Sequence, residues 1–138
     1  MSIEANLYQE QLPQTLPQEI LVEKSQELIK KIKKAFAIGP GIQRASFEFN
    51  PLDNEYWSLT LINNNRFHIE KIAPMITEDG KPISNSALML DISVYEGGFS
   101  VWDMTKKYGN GKNTKLALDH TSSAVDKIIS LRNHSSAT

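Results

Sequence analysis

Residues 56–72 read YWSLTLINNNRFHIEKI, and this stretch decides the fold. Trp57, Leu59 and Leu61 alternate with Tyr56, Ser58 and Thr60, the period-2 pattern of a strand with one buried face. Asn63-Asn64-Asn65 then marks a turn, because asparagine tolerates positive φ. A three-residue loop at that point sets Leu61 opposite Phe67 and Leu59 opposite Ile69, so both strands place their apolar groups on the same side. A slip of one residue would turn one of those sets to solvent, so this register is self-consistent.

Strands continue on both sides of this hairpin. Ala45, Phe47 and Phe49 alternate with Ser46, Glu48 and Asn50, and residues 50–54 (NPLDN) turn the chain. Residues 73–86 read as a loop punctuated by Pro74, Asp79-Gly80 and Pro82, after which Leu88, Leu90, Ile92 and Val94 mark a further strand. Gly97-Gly98 predicts a tight hairpin turn of the primed type, pairing Val94 with Val101 and Glu96 with Phe99. That register points Asp103 inward beside Ile92, unless a bulge near residues 102–104 turns it outward.

Helices bracket the strands. Thr15 and Gln18 resemble a capping box around Pro17, which is tolerated in a first turn because its missing N–H would be unpaired there anyway. Leu21, Val22, Leu28, Ile29, Ile32 and Phe36 then fall on one stripe, and Lys30, Lys31, Lys33 and Lys34 complement the helix dipole before Gly39-Pro40-Gly41 ends the helix. The outer face carries Glu19, Glu23 and Glu27, with Glu27 in the favourable ion-pair order four residues before Lys31. A second helix, capped by Asn113 or Thr114, carries Ala117, Leu118, Ala124, Val125, Ile128 and Leu131 on one side. The reading is a single α+β domain over residues 15–132: helix, five mostly antiparallel strands, helix, in two layers with both helices on one sheet face. Residues 1–14 are expected to form a flexible or docking arm, and residues 133–138 a disordered tail.

Bulk composition agrees with one ordinary domain. A chain of 138 residues is expected to bury roughly 68% of its unfolded surface, and it contains no cysteine from which to make a disulfide. A net charge of −1 provides no global field to attract nucleic acid or an anionic membrane. No apolar run approaches the ~20 residues that cross a bilayer, so the expectation is a soluble, cytoplasmic protein.

Motifs that carry chemistry are scarce. Gly109-Asn110-Gly111-Lys112-Asn113-Thr114 lies where a phosphate-cradling loop would lie, yet Lys106 stands where a P-loop needs its first glycine and Asn113 where it needs Ser or Thr. Lys107, Gly109, Gly111 and Lys112 form an alternative site for anions, as a nucleic-acid or nucleotide-phosphate binder would require. His68, His120 and His134 have no metal-ligand spacing between them, so no metal site and no cofactor is expected. His68 and Glu70 share a strand face, a pairing open to acid–base chemistry but better read as a solvated surface with His68 opposite Thr60. Glu70 and Lys71 are adjacent and point to opposite faces, so the E-x-K element of metal-dependent nucleases is missing.

The second face of the sheet is more telling. With Leu59, Phe67, Ile69 and Ile92 under the helices, the opposite side carries Tyr56, Met89, Tyr95, Trp102 and Met104 among Ser58, His68, Glu70, Asp91 and Ser93. Aromatic and Met side chains dispersed among small polar ones are the composition of an interface. Tyr56, His68, Met89, Tyr95, Trp102 and Met104 are therefore the candidate partner-binding residues. The expected function is a non-catalytic protein-binding domain of the inhibitor, immunity, adaptor or specialised-chaperone type. Its partner is another protein, a second copy of the chain included.

Overall fold

The computed structural model describes residues 15–52, 54–74, 78–81, 87–103 and 114–136. Helix α1 spans Gln18–Ala35. Five strands follow: β1 Ala45–Leu52, β2 Glu55–Asn63, β3 Arg66–Ala73, β4 Ala87–Tyr95 and β5 Gly98–Asp103; helix α2, Thr114–Ser136, closes the fold. The strands form one sheet in the order β1-β2-β3-β4-β5, and every neighbouring pair is antiparallel.

The Asn-turn hairpin pairs Leu61 with Phe67, Leu59 with Ile69 and Thr60 with His68, as the alternation requires. Asn63 pairs with Arg66, however, so the turn is Asn64-Asn65 with an irregularity at Ile62 rather than a three-residue loop. At the last hairpin the register differs from the sequence reading. Tyr95 pairs with Gly98 and Val94 with Phe99, so Glu96-Gly97 make the turn and Asp103 lies opposite Leu90 rather than Ile92. The physical reason is Gly98, which takes φ +149° as the first residue of β5, with the Tyr95 ring 3.8 Å from where its Cβ would be. A shift of two residues leaves every side chain on its expected face. Asp103 accordingly faces inward and is buried.

One continuous core joins Ile29 and Ile32 of α1 with Phe36 at its C-cap, Leu59, Phe67, Ile69 and Ile92 of the sheet, and Val125 and Ile128 of α2. Both helices therefore cover the same face. Each fully buried Leu, Ile or Phe stabilises the fold by about 1.5–3 kcal/mol, so this side carries most of the favourable energy. Arg132 caps the cluster, its guanidinium 5.8 Å from the Phe36 ring and 5.9 Å from that of Phe47.

Helix ends depart from the sequence reading in three places. No side chain caps α1: the Pro17 carbonyl accepts from the N–H groups of Ile20 and Leu21, and the capping box of Thr15 and Gln18 is not formed. Instead the Leu16 N–H donates to Thr114 Oγ1 at 2.6 Å, joining the start of α1 to the first residue of α2. At its other end α1 stops before the Gly-Pro-Gly segment. Ala37 takes φ 54°, the Ile38 N–H donates to the Lys33 carbonyl at 2.9 Å, and Ile38 is buried, which together make a Schellman cap with alanine in the glycine position. Helix α2 runs on through Asn133 to Ser136 instead of giving way to a tail after 132, since neither glycine nor proline interrupts that stretch. The Glu27–Lys31 pair also gives way: Glu27 meets Lys24 at 3.5 Å, and Lys31 reaches across to Asp126 of α2 at 2.6 Å. Among the described residues no helix is long and apolar enough to cross a membrane.

Candidate functional site

The sheet face away from the helices is built from two cross-strand rows. Ser46, Thr60, His68, Ser93 and Ser100 lie opposite one another from β1 to β5, and beside them run Glu48, Ser58, Glu70, Asp91 and Trp102. Alternation makes these the outward partners of the core residues on the same strands. Small hydroxyls occupy the middle: Ser58 and Ser93 are buried between larger neighbours, and the Ser46 and Thr60 hydroxyls lie 3.1 Å apart.

Charge concentrates at the centre of this face. His68 Nε2 lies 3.1 Å from Asp91 Oδ1 and 3.8 Å from Glu70 Oε2, and all three side chains are half-buried. Glu70 and Asp91 stand directly opposite each other on β3 and β4. Burial first, and then the hydrogen bond and charge of Glu48, push the Tyr56 phenol above its ordinary value, so Tyr56 sits on this face as a neutral donor. An open groove of about 300 Å³ runs beside the cluster between Arg66, His68, Asp91, Ser100 and Trp102.

The apolar part of the face is exposed. Trp102 retains 52% of its accessible surface and Tyr95 37%. Tyr95 pairs with Arg66 at the hairpin end, where its ring covers Gly98.

Of the residues singled out from sequence, Tyr56, His68, Tyr95 and Trp102 share this face. Met89 sits at an irregularity in the β3–β4 pairing, where Lys71 pairs with Leu90 but Ile72 with Leu88. Met104 lies outside the described residues, as do the anion-site candidates Lys107, Gly109, Gly111 and Lys112 and the arm 1–14.

Sequence reasoning missed the convergence of Asp91 on His68 and Glu70. Strand parity places all three on one face, but only the β3–β4 register makes them neighbours, and the intervening loop leaves that register open to shifts of two. The one available signal is the run of apolar residues opposite apolar residues, such as Ile69 with Ile92. Comparison of the chain with protein-family models, with curated proteins and with solved structures finds no match in any of the three.

Proposed function

We propose that the chain is a non-catalytic protein-binding domain acting through the open face of its sheet. The observation that carries this reading is Trp102, an indole left 52% exposed at the end of a row whose inner counterpart is wholly packed. Aromatic side chains at the edge of a groove are the anchors that dominate protein interfaces, because burying them on association removes a large apolar area from water. Tyr95, at the hairpin end of the same face, extends the apolar part of that surface.

Charge narrows the partner. Glu48, Glu70 and Asp91 lie in one row, so a complementary surface offers Lys or Arg around an apolar pocket. Phosphate would meet carboxylates here, which favours a protein over a nucleic acid. Two copies face to face would also bring acidic rows together, which favours a different protein over a homodimer. The proposed setting is the cytoplasm, with which a chain lacking cysteine is compatible.

Capture from native cell extract tests the proposal. Tagged protein, treated with nuclease, is expected to retain a stoichiometric protein, and Trp102→Ala and Tyr95→Ser to release it. Retention of nucleic acid alone, or equal capture by both variants, contradicts the reading.

A further inference from the structure

We propose that His68, Glu70 and Asp91 form a binding site for a single divalent transition-metal ion, with zinc the ion that best matches its donors. The inference stands apart from the partner-binding reading and would survive its failure. It rests on four features of the same three side chains.

Distances come first. In a tetrahedral site with metal–donor bonds of about 2.0–2.2 Å, neighbouring donor atoms lie about 3.4 Å apart. His68 Nε2 lies 3.1 Å from Asp91 Oδ1 and 3.8 Å from Glu70 Oε2, values that straddle that separation. One donor atom from each of the three residues lies within 4.8 Å of the other two.

Charge supplies an independent reason for a cation. Glu70 and Asp91 are directly opposite each other on antiparallel strands, an arrangement of like charges that destabilises a sheet. Among the described residues, the ion-pair partner of both carboxylates is the His68 imidazole. A divalent ion between them removes that repulsion.

Placement makes the site rigid. Strands β3 and β4 are both interior to the sheet, paired on each side, so the backbone beneath all three donors is held by hydrogen-bonded ladders. Half-burial shields the donors from bulk water without enclosing them, and the adjoining groove leaves a further coordination position open to water or another donor. One imidazole nitrogen with two carboxylates is a donor set for zinc and its neighbours rather than for magnesium or calcium, which take oxygen alone.

The test uses the untagged full chain, titrated with zinc chloride by calorimetry and with cobalt chloride by visible absorption. Zinc is expected to bind one ion per chain, unaffected by excess magnesium, and cobalt to show the absorption of a low-coordinate site. Asp91→Asn and Glu70→Gln are each expected to weaken zinc by about tenfold or more, with far-ultraviolet circular dichroism confirming that both variants are folded. His68→Ala is expected to abolish the cobalt spectrum. A double variant, His120→Ala with His134→Ala, is expected to bind as the parent does. No binding by the parent overturns the proposal. Parental affinity in Asp91→Asn and His68→Ala also overturns it, because the ion then sits elsewhere.

Discussion

Leu59, Ile69, Ile92 and Val101 lie side by side across β2 to β5 beneath the helices, and none is more than 4% exposed. One residue back along β2, onward along β3, back along β4 and onward along β5 stand Ser58, Glu70, Asp91 and Trp102, facing the other way, with Trp102 52% exposed. The same backbone thus carries a row that stabilises the fold and a row that does not need to. A sheet whose only task was to support two helices would be served by Ser, Thr and Lys on its free side. The difference teaches which row the fold depends on: the packed one, while the acidic cluster and the exposed aromatics lie on the side away from the two helices.

The comparison predicts a large asymmetry in stability. Truncating the inner row, as in Leu59→Ala, should cost about 2–5 kcal/mol, because it removes buried methyl groups and leaves a cavity that rigid neighbours cannot close. Urea unfolding monitored by circular dichroism measures this directly. A cost no greater than that of Trp102→Ala would erase the distinction between the faces.

Next in size is a change confined to the helix-covered half. Ala37 holds φ 54° in the cap of α1, a conformation that costs a residue with a Cβ roughly 1 kcal/mol. Ala37→Gly should therefore raise stability by about 0.5–1 kcal/mol, net of the entropy glycine loses, and leave capture of a partner unchanged. A similar loss, about 1 kcal/mol, is expected from Thr114→Val, which leaves the Leu16 N–H without its acceptor. Differential scanning calorimetry on both variants would show opposite shifts in Tm.

The smallest effect belongs to the open face. Burial, and then Glu48, raise the Tyr56 phenol above its usual 10.0. A group whose folded value is raised contributes stability that is complete below the unfolded value and is lost as pH rises through the folded one. Stability should thus hold its Tyr56 contribution up to about pH 10 and shed it above. In Tyr56→Phe that component should vanish, and in Glu48→Gln an ultraviolet titration should find the phenol closer to its ordinary value.

Much of this architecture is legible in the sequence because period 2 is a strong constraint. Which residues face the helices follows from Leu59, Leu61, Phe67 and Ile69 alone, since any odd slip would expose them. Even slips are invisible to the same pattern. That is why Gly97-Gly98 suggests a final turn one residue too far along, and why alternation puts Asp91 on the right face without identifying its neighbours. Helix ends were less legible for a different reason. Gly39 advertised the stop of α1, yet Ala37 took the left-handed position because Ile38 gains burial in the core by turning in two residues earlier. The candidate site suffered most, because its three donors come from two strands joined by a loop of no fixed turn type.

The central claim is that the open face is covered when the protein does its work. The chain has two tryptophans, Trp57 under the helices and Trp102 on the open face, so each reports one side of the sheet. Protein labelled with 5-fluorotryptophan and assigned through Trp102→Phe gives one fluorine resonance for each. On addition of the captured partner, the account predicts that the Trp102 resonance shifts and broadens while that of Trp57 stays in place. A bound partner that leaves the Trp102 resonance unmoved would contradict it.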